Sequence, residues 1–239
     1  MARHDGRRAN QLRPLKIITN YAKFATGSAL IKTGETHVLC TASFVEGVPR
    51  FREKTGLGWL TAEYEMLPAS GGERRQRSRN KVDGRSQEIQ RLIGRSLRAV
   101  CELADLGENT IYIDCDVLQA DGGTRTASIT GAYVALCLAL RKLRAAKRIP
   151  GRVVRQGIAA VSVGKVDGRV LLDLDYVEDS GADVDCNVVM TSRGEFVEVQ
   201  GTGEEATFTP DDLNRMLALA RSGIKKLLTA QRRALTRKR

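Results

Sequence analysis

The sequence predicts an α+β fold of two similar βαβ-type halves, with mixed sheets and packed helices, and three observations carry that prediction. Runs with an apolar residue at every second position alternate with runs that follow the 3.6-residue helical period. Short Gly-containing turns join the period-two runs into strand pairs in both halves. Strands followed by helices in the first half return in outline as strands followed by a helix in the second. No linker rich in Pro, Gly or Ser separates the halves, so residues 1–239 read as one domain with a basic tail from about 230 to 239.

Ser28 to Lys32 and Thr36 to Phe44 read as strands about the turn Thr33-Gly34-Glu35, the second with Val38, Cys40, Ala42 and Phe44 at period two. A third strand covers Trp59 to Met66. From Ala69 to Arg85 nothing apolar recurs, and the segment reads as an exposed loop. Gln87 to Leu103 changes to a helical stripe of Ile89, Leu92, Ile93, Leu97, Val100 and Cys101, with Ser86 as the expected N-cap. Thr110 to Leu118 is the next strand. Ala127 to Lys142 is a helix apolar on most faces, which places it between other elements. Gly157 to Gly164 and Arg169 to Asp175 flank the hairpin signal Val166-Asp167-Gly168. Val184 to Thr191 and Glu195 to Gln200 pair about Ser192-Arg193-Gly194. The last helix starts at Thr209-Pro210 and runs to about Leu228, leaving Gln231 to Arg239 as a frayed basic tail.

Charge narrows the function. Thirty-nine Lys and Arg against 28 Asp and Glu leave +11, which suits a polyanionic partner such as nucleic acid. No signal peptide and no run of about 20 apolar residues is present, so a cytoplasmic chain without a membrane partner is expected. Five scattered cysteines read as free thiols in the core. Two histidines leave little material for a zinc site or a His-based triad, and His37 falls within a strand.

The most informative stretch is Gln119 to Thr126, between a strand and the apolar helix. Gly122 and Gly123 let the backbone turn tightly, and the helix start offers free N–H groups and a positive dipole end. Thr124 and Thr126 add hydroxyls, and Arg125 adds a fork that matches a tetrahedral oxyanion. The plainer alternative is a Gly turn with a threonine cap and one surface arginine. A nucleotide P-loop is excluded, because no GxxxxGK[ST] occurs. Asp179 and Asp185, in an acidic run from Asp173, suit a Mg²⁺ ion or proton delivery to a leaving oxygen; a solvated acidic turn is the alternative. Arg74, Arg75, Arg77 and Arg79 suit contact with an RNA backbone, or else a solvated or subunit-contacting loop.

Several blocks occur together in a fixed order: Arg3-His4-Asp5-Gly6-Arg7 with Leu12-Arg13-Pro14, Gly58 to Tyr64, Gln87 to Arg95, Leu118 to Gly131, Glu178-Asp179-Ser180 with Val184-Asp185, and Glu198 to Ala206. In these the chain resembles the bacterial ribonuclease PH family, phosphate-dependent exoribonucleases that trim precursor tRNA 3′ ends, across nearly its whole length. The resemblance implies that family's fold, with inorganic phosphate as co-substrate bound by Arg85, Gly123, Thr124, Arg125 and Thr126. It implies Asp179 and Asp185 as catalytic and Mg²⁺-binding residues beside Arg85 and Arg125, and a homo-hexamer built as a trimer of dimers. Arg91 joins the loop arginines as an expected RNA contact. The main departures fall in the loop: Ala69 follows Pro68 where the family usually has arginine, and the stretch to Arg85 is about two residues shorter; smaller ones are Asp175 and Val177, where the family often has asparagine and glutamate. Inactive ring subunits of exosome type are the alternative, but these are expected to lack the phosphate-site arginines, and Arg85 and Arg125 are both present.

Overall fold

A computed structural model describes residues 3–76, 83–204 and 206–236. The first sheet contains β1 (Leu15–Thr19), β2 (Gly27–Thr33), β3 (Thr36–Glu46), β4 (Trp59–Met66) and β5 (Asn109–Gln119), in the order β1-β2-β3-β5-β4. The pair β4–β5 is parallel and the others antiparallel, because α1 (Gly84–Arg98) carries the chain across between β4 and β5. α2 (Thr124–Ala145) then leads to the second sheet. This holds β6 (Ile158–Val166), β7 (Arg169–Leu172), β8 (Val184–Thr191) and β9 (Phe196–Gly203) in the antiparallel order β7-β6-β8-β9. Between β7 and β8 lies α3 (Tyr176–Ser180), and α4 (Pro210–Thr236) closes the chain.

Alternation decides the strand faces. In β3, Val38, Cys40 and Ala42 are fully buried while their neighbours are half-buried. Cys40 stands opposite Cys115 on β5, and all five cysteines are free, as expected of core thiols. In α1 the stripe Ile89, Leu92, Ile93 and Leu97 is buried against the first sheet. α2 is buried on almost every face because it packs against both β2–β3 and β6. α4 covers β6 and β7 and also reaches β1. Among the described residues no helix is long and apolar enough to cross a membrane.

Some boundaries differ from the sequence expectation. α1 begins at Gly84, capped by Asp83, whose carboxylate accepts from the Ser86 N–H at 2.8 Å; Ser86 is inside the first turn. The helix stops at Arg98, and Leu103 belongs to a separate 3₁₀ turn at Leu103–Leu106. Thr124, Arg125 and Thr126 form the first turn of α2, not a loop ahead of it. β1 and α3 are additional elements. The tail is not frayed from Gln231: α4 continues to Thr236, and the buried Gln231 amide donates to the carbonyls of Thr130 and Ile158, each at 2.9 Å. Those two bonds tie the helix end to α2 and β6.

Candidate active site

The turn after β5 brings the backbone to the head of α2. Gly122 and Gly123 both take left-handed conformations, at φ +70° and +63°. Thr36 on β3 secures the turn, donating to the Gly122 carbonyl at 2.7 Å and accepting from the Asp121 N–H at 2.9 Å. Arg13 donates to the Asp121 carbonyl on one side and to Asp173 at 2.7 Å on the other. No side chain caps α2, so its first N–H groups stay open at the cleft. The Thr124 hydroxyl is paired at 2.8 Å with Tyr64, a buried β4 residue.

Arg125 is only 15% exposed in its side chain, yet among the described residues only its Nη1 is engaged, donating to Gln200 at 2.9 Å and to Glu88 at 3.4 Å. Across from it, α3 and β8 present Asp179 and Asp185. α3 is set by a capping box of Asp175 and Glu178, and Glu178 is gripped by Arg3 from the N-terminal segment. Arg85, Gly123, Thr124, Arg125, Asp179 and Asp185 all line one cleft of about 350 Å³. The structure therefore brings together residues from three distant sequence blocks.

Electrostatics within the cleft are polarised. Burial, and then the neighbouring Asp179 carboxylate, push Asp185 up to about 6, with Arg125 pulling against them. Burial also raises Asp179 above the usual carboxylate range, opposed by Arg85 and Arg125. The Asp185 Oδ2 accepts from Asn187 at 3.1 Å, while its buried Oδ1 has no hydrogen-bond partner among the described residues. An orphaned carboxylate oxygen beside a second carboxylate is a donor set that fits a hard cation such as Mg²⁺. His4, Asp175 and Glu178 also offer ligand atoms within 4.8 Å of one another and could hold a metal ion. There, however, Arg3 donates to both Glu178 oxygens and Arg7 to Asp175 and Glu178, so the negative charge is already matched.

Other expected residues lie elsewhere. The Thr126 hydroxyl faces back and donates to the Gly123 carbonyl at 2.9 Å, which leaves only its backbone N–H for an anion. Arg74, Arg75 and Arg91 are exposed and outside the cleft lining. Arg77 and Arg79 lie outside the described residues. Four cleft residues were not expected at the site: Ser180, Ala182, Asn187 and Glu204. Asn187 was accessible to reasoning, since it stands two residues after Asp185 on the same strand face. Glu204 had no comparable signal.

Residues 11–142 match the first domain of the 3′ exoribonuclease family, and residues 157–223 match its second domain. The chain is 59% identical over 236 residues to Ribonuclease PH of Corynebacterium glutamicum (strain R), covering 98% of this chain and 96% of that protein. It is 58% identical over 235 residues to Ribonuclease PH of Corynebacterium efficiens, again covering 98% and 96%. The fold matches that of an Archaeoglobus fulgidus exosome solved with RNA bound to the active site, with a TM-score of 0.78 at 23% identity, over 95% of this chain and 91% of that one.

Proposed function

Since the chain belongs to the 3′ exoribonuclease family, we propose that its cleft binds inorganic phosphate at the head of α2 and uses it to shorten RNA from the 3′ end. The observation that carries this is the half-engaged Arg125 at an uncapped helix start, facing the Asp179–Asp185 pair across one cleft. A phosphate there meets the α2 N–H groups, the free edge of Arg125 and, from α1, Arg85.

The reaction balances within the site. An oxygen of hydrogen phosphate attacks the phosphorus of the last phosphodiester, a P–O bond forms, and the bond to the 3′ oxygen of the preceding nucleotide breaks. The proton carried by hydrogen phosphate passes to that leaving oxygen. The products are a nucleoside diphosphate and an RNA one residue shorter with a free 3′ hydroxyl. One phosphorus–oxygen linkage replaces another, so the reaction runs in both directions. Arg85 and Arg125 stabilise charge on the phosphoryl oxygens, and the α2 N–H groups hold the nucleophile in line. Asp179 and Asp185 would hold Mg²⁺, which when bound supplies further neutralisation of those oxygens. Asp185, raised by burial and by Asp179, would be held in its ionised form by a neighbouring cation.

The exposed Arg74, Arg75 and Arg91, with the net charge of +11, serve RNA backbone contact. Precursor tRNA 3′ ends are the proposed substrate, a ring of six copies the proposed assembly, and the cytoplasm the proposed location. The test is to incubate 3′-labelled RNA with the protein and Mg²⁺, with and without phosphate. Labelled nucleoside diphosphates that require phosphate are expected. Nucleoside monophosphates released equally well without phosphate would falsify the reading.

A further inference from the structure

We infer that Gln200, held in place by Glu88, is a positioning residue for Arg125 that decides which edge of its guanidinium faces phosphate. The inference rests on the phosphate-binding reading above. The three residues come from three elements: Glu88 from α1, Arg125 from α2 and Gln200 from β9. The Arg125 Nη1 donates to the Gln200 Oε1 at 2.9 Å, and the Gln200 Nε2 donates to the Glu88 Oε1 at 2.9 Å. The same Glu88 oxygen lies 3.4 Å from Nη1.

The donor inventory makes this arrangement selective. Glu88, when ionised, can only accept, so it takes the NH₂ end of the Gln200 amide and turns the carbonyl end toward Arg125. Gln200 and Glu88 both accept from Nη1. Among the described residues nothing accepts from the Nε–H or the two Nη2 hydrogens. These make up the Nε/Nη2 edge, a fork with the spacing of two phosphate oxygens. Pinning Nη1 thus leaves one bidentate edge open and stops the guanidinium from rotating to offer another. A guanidinium ordered beforehand loses less freedom when phosphate arrives.

Sheet register extends the same device to the opposite wall. Gln200 is the ladder partner of Asn187 on β8, and Asn187 donates to Asp185. Two residues before Gln200, Glu198 binds Arg95 of α1 at 2.6 Å, which docks this face of β9 onto the helix that carries Arg85 and Glu88. One ladder pair therefore sets a cationic and an anionic arm of the cleft.

Gln200→Ala tests the proposal. Initial rates measured with phosphate and RNA varied separately should show the phosphate KM rising about 3- to 10-fold, the size of one lost hydrogen bond to a charged group at a half-buried site. The KM for RNA should stay within about twofold, since no RNA contact is removed. The rise in Tm that inorganic phosphate gives without RNA should shrink in parallel. In an Arg125→Lys background, which has no fork to orient, the effect of Gln200→Ala on the phosphate KM should vanish. Glu88→Ala, at a side chain 43% exposed, should reproduce the phosphate-KM effect and serves if Gln200→Ala fails to fold. An unchanged phosphate KM in Gln200→Ala, or an equal rise in the Arg125→Lys background, overturns the inference. Arg125→Ala separates the two levels. If it leaves the phosphate KM unchanged, the phosphate-binding reading itself falls; if it raises that KM while Gln200→Ala does not, only the positioning role falls.

Discussion

At Asp185 two unfavourable effects add: loss of water around the carboxylate and the nearby charge of Asp179. Its folded-state pKa of about 6 stands above the unfolded value of roughly 3.9, so the native state binds the extra proton between those limits. The stability tied to that proton is complete below about pH 4 and is lost as pH rises through 6. Asp185→Asn removes the penalty. In chelator it should therefore raise unfolding stability by about 2 kcal/mol at pH 8, with the difference closing near pH 4. Urea titrations at the two pH values measure this, and a variant no more stable than the parent at pH 8 would contradict the assigned burial cost. Activity should fall while stability rises. The sequence pointed to this residue, together with Gly123, Thr124, Arg125 and Asp179, because each sits in a short block with its own chemical logic, whereas Arg85 was expected from the family resemblance alone. It did not show Glu88, Gln200 or Glu204 as neighbours of the cleft. Their proximity follows from how β9 docks on α1, which no local spacing encodes.

α3 is one turn of helix, yet it carries Asp179 and abuts the turn at Gly122 and Gly123. A Cβ built at Gly122 would lie 2.6 Å from the Asp175 carbonyl carbon and 2.8 Å from the Leu174 oxygen, on a backbone already at φ +70°. Gly122→Ala must therefore push the turn and α3 apart as well as strain its own backbone. We expect a loss of about 2–4 kcal/mol and a fall of more than about tenfold in phosphate-dependent turnover. Gly168→Ala is the control: it shares φ +70° but has open space, and should cost only about 1 kcal/mol without loss of turnover. Equal effects at both sites would show that close packing on α3 contributes nothing. Strand pairs and α2 were legible because alternation and a long apolar run survive in the letters. α3 was not, since five residues show no period. β1 was missed for a similar reason: its five residues, Leu15–Thr19, do not alternate. At α1 the apolar stripe continues into Val100 and Cys101 after the helix has ended, and Cys101 forms an isolated bridge with Val154.

Across the molecule, the two sheets keep largely separate cores, but α2 serves both and α4 closes over them. Gln231 is the fastening point, with one amide nitrogen bonded to carbonyls of α2 and β6. Gln231→Ala removes both bonds from a buried place and should cost about 1–3 kcal/mol, measured by urea unfolding. A change under about 0.5 kcal/mol would mean that the last turns of α4 do not hold the halves together. The basic sequence after Leu228 reads as a tail because its charges dominate the pattern; one buried glutamine among them carries the tertiary contact.

The arginines of the N-terminal segment give the cleft a history as well as a shape. Arg13 binds Asp173 across 160 residues of sequence, and Arg3 binds Glu178 across 175. During synthesis at about 5–20 residues per second, these cations leave the ribosome roughly 8–35 s before the acidic residues they will bind. Through that interval Arg3 and Arg13 lack these carboxylate partners, and the turn at Gly122 lacks the backbone of Leu174, Asp175 and Tyr176 that packs on it. The cleft can therefore be completed only after Asp173 and Glu178 have been made and can bind Arg13 and Arg3. We expect a nascent chain that stops short of residue 173 to carry all five strands of the first sheet while lacking Asp173, Asp179 and Asp185, which complete the proposed phosphate site.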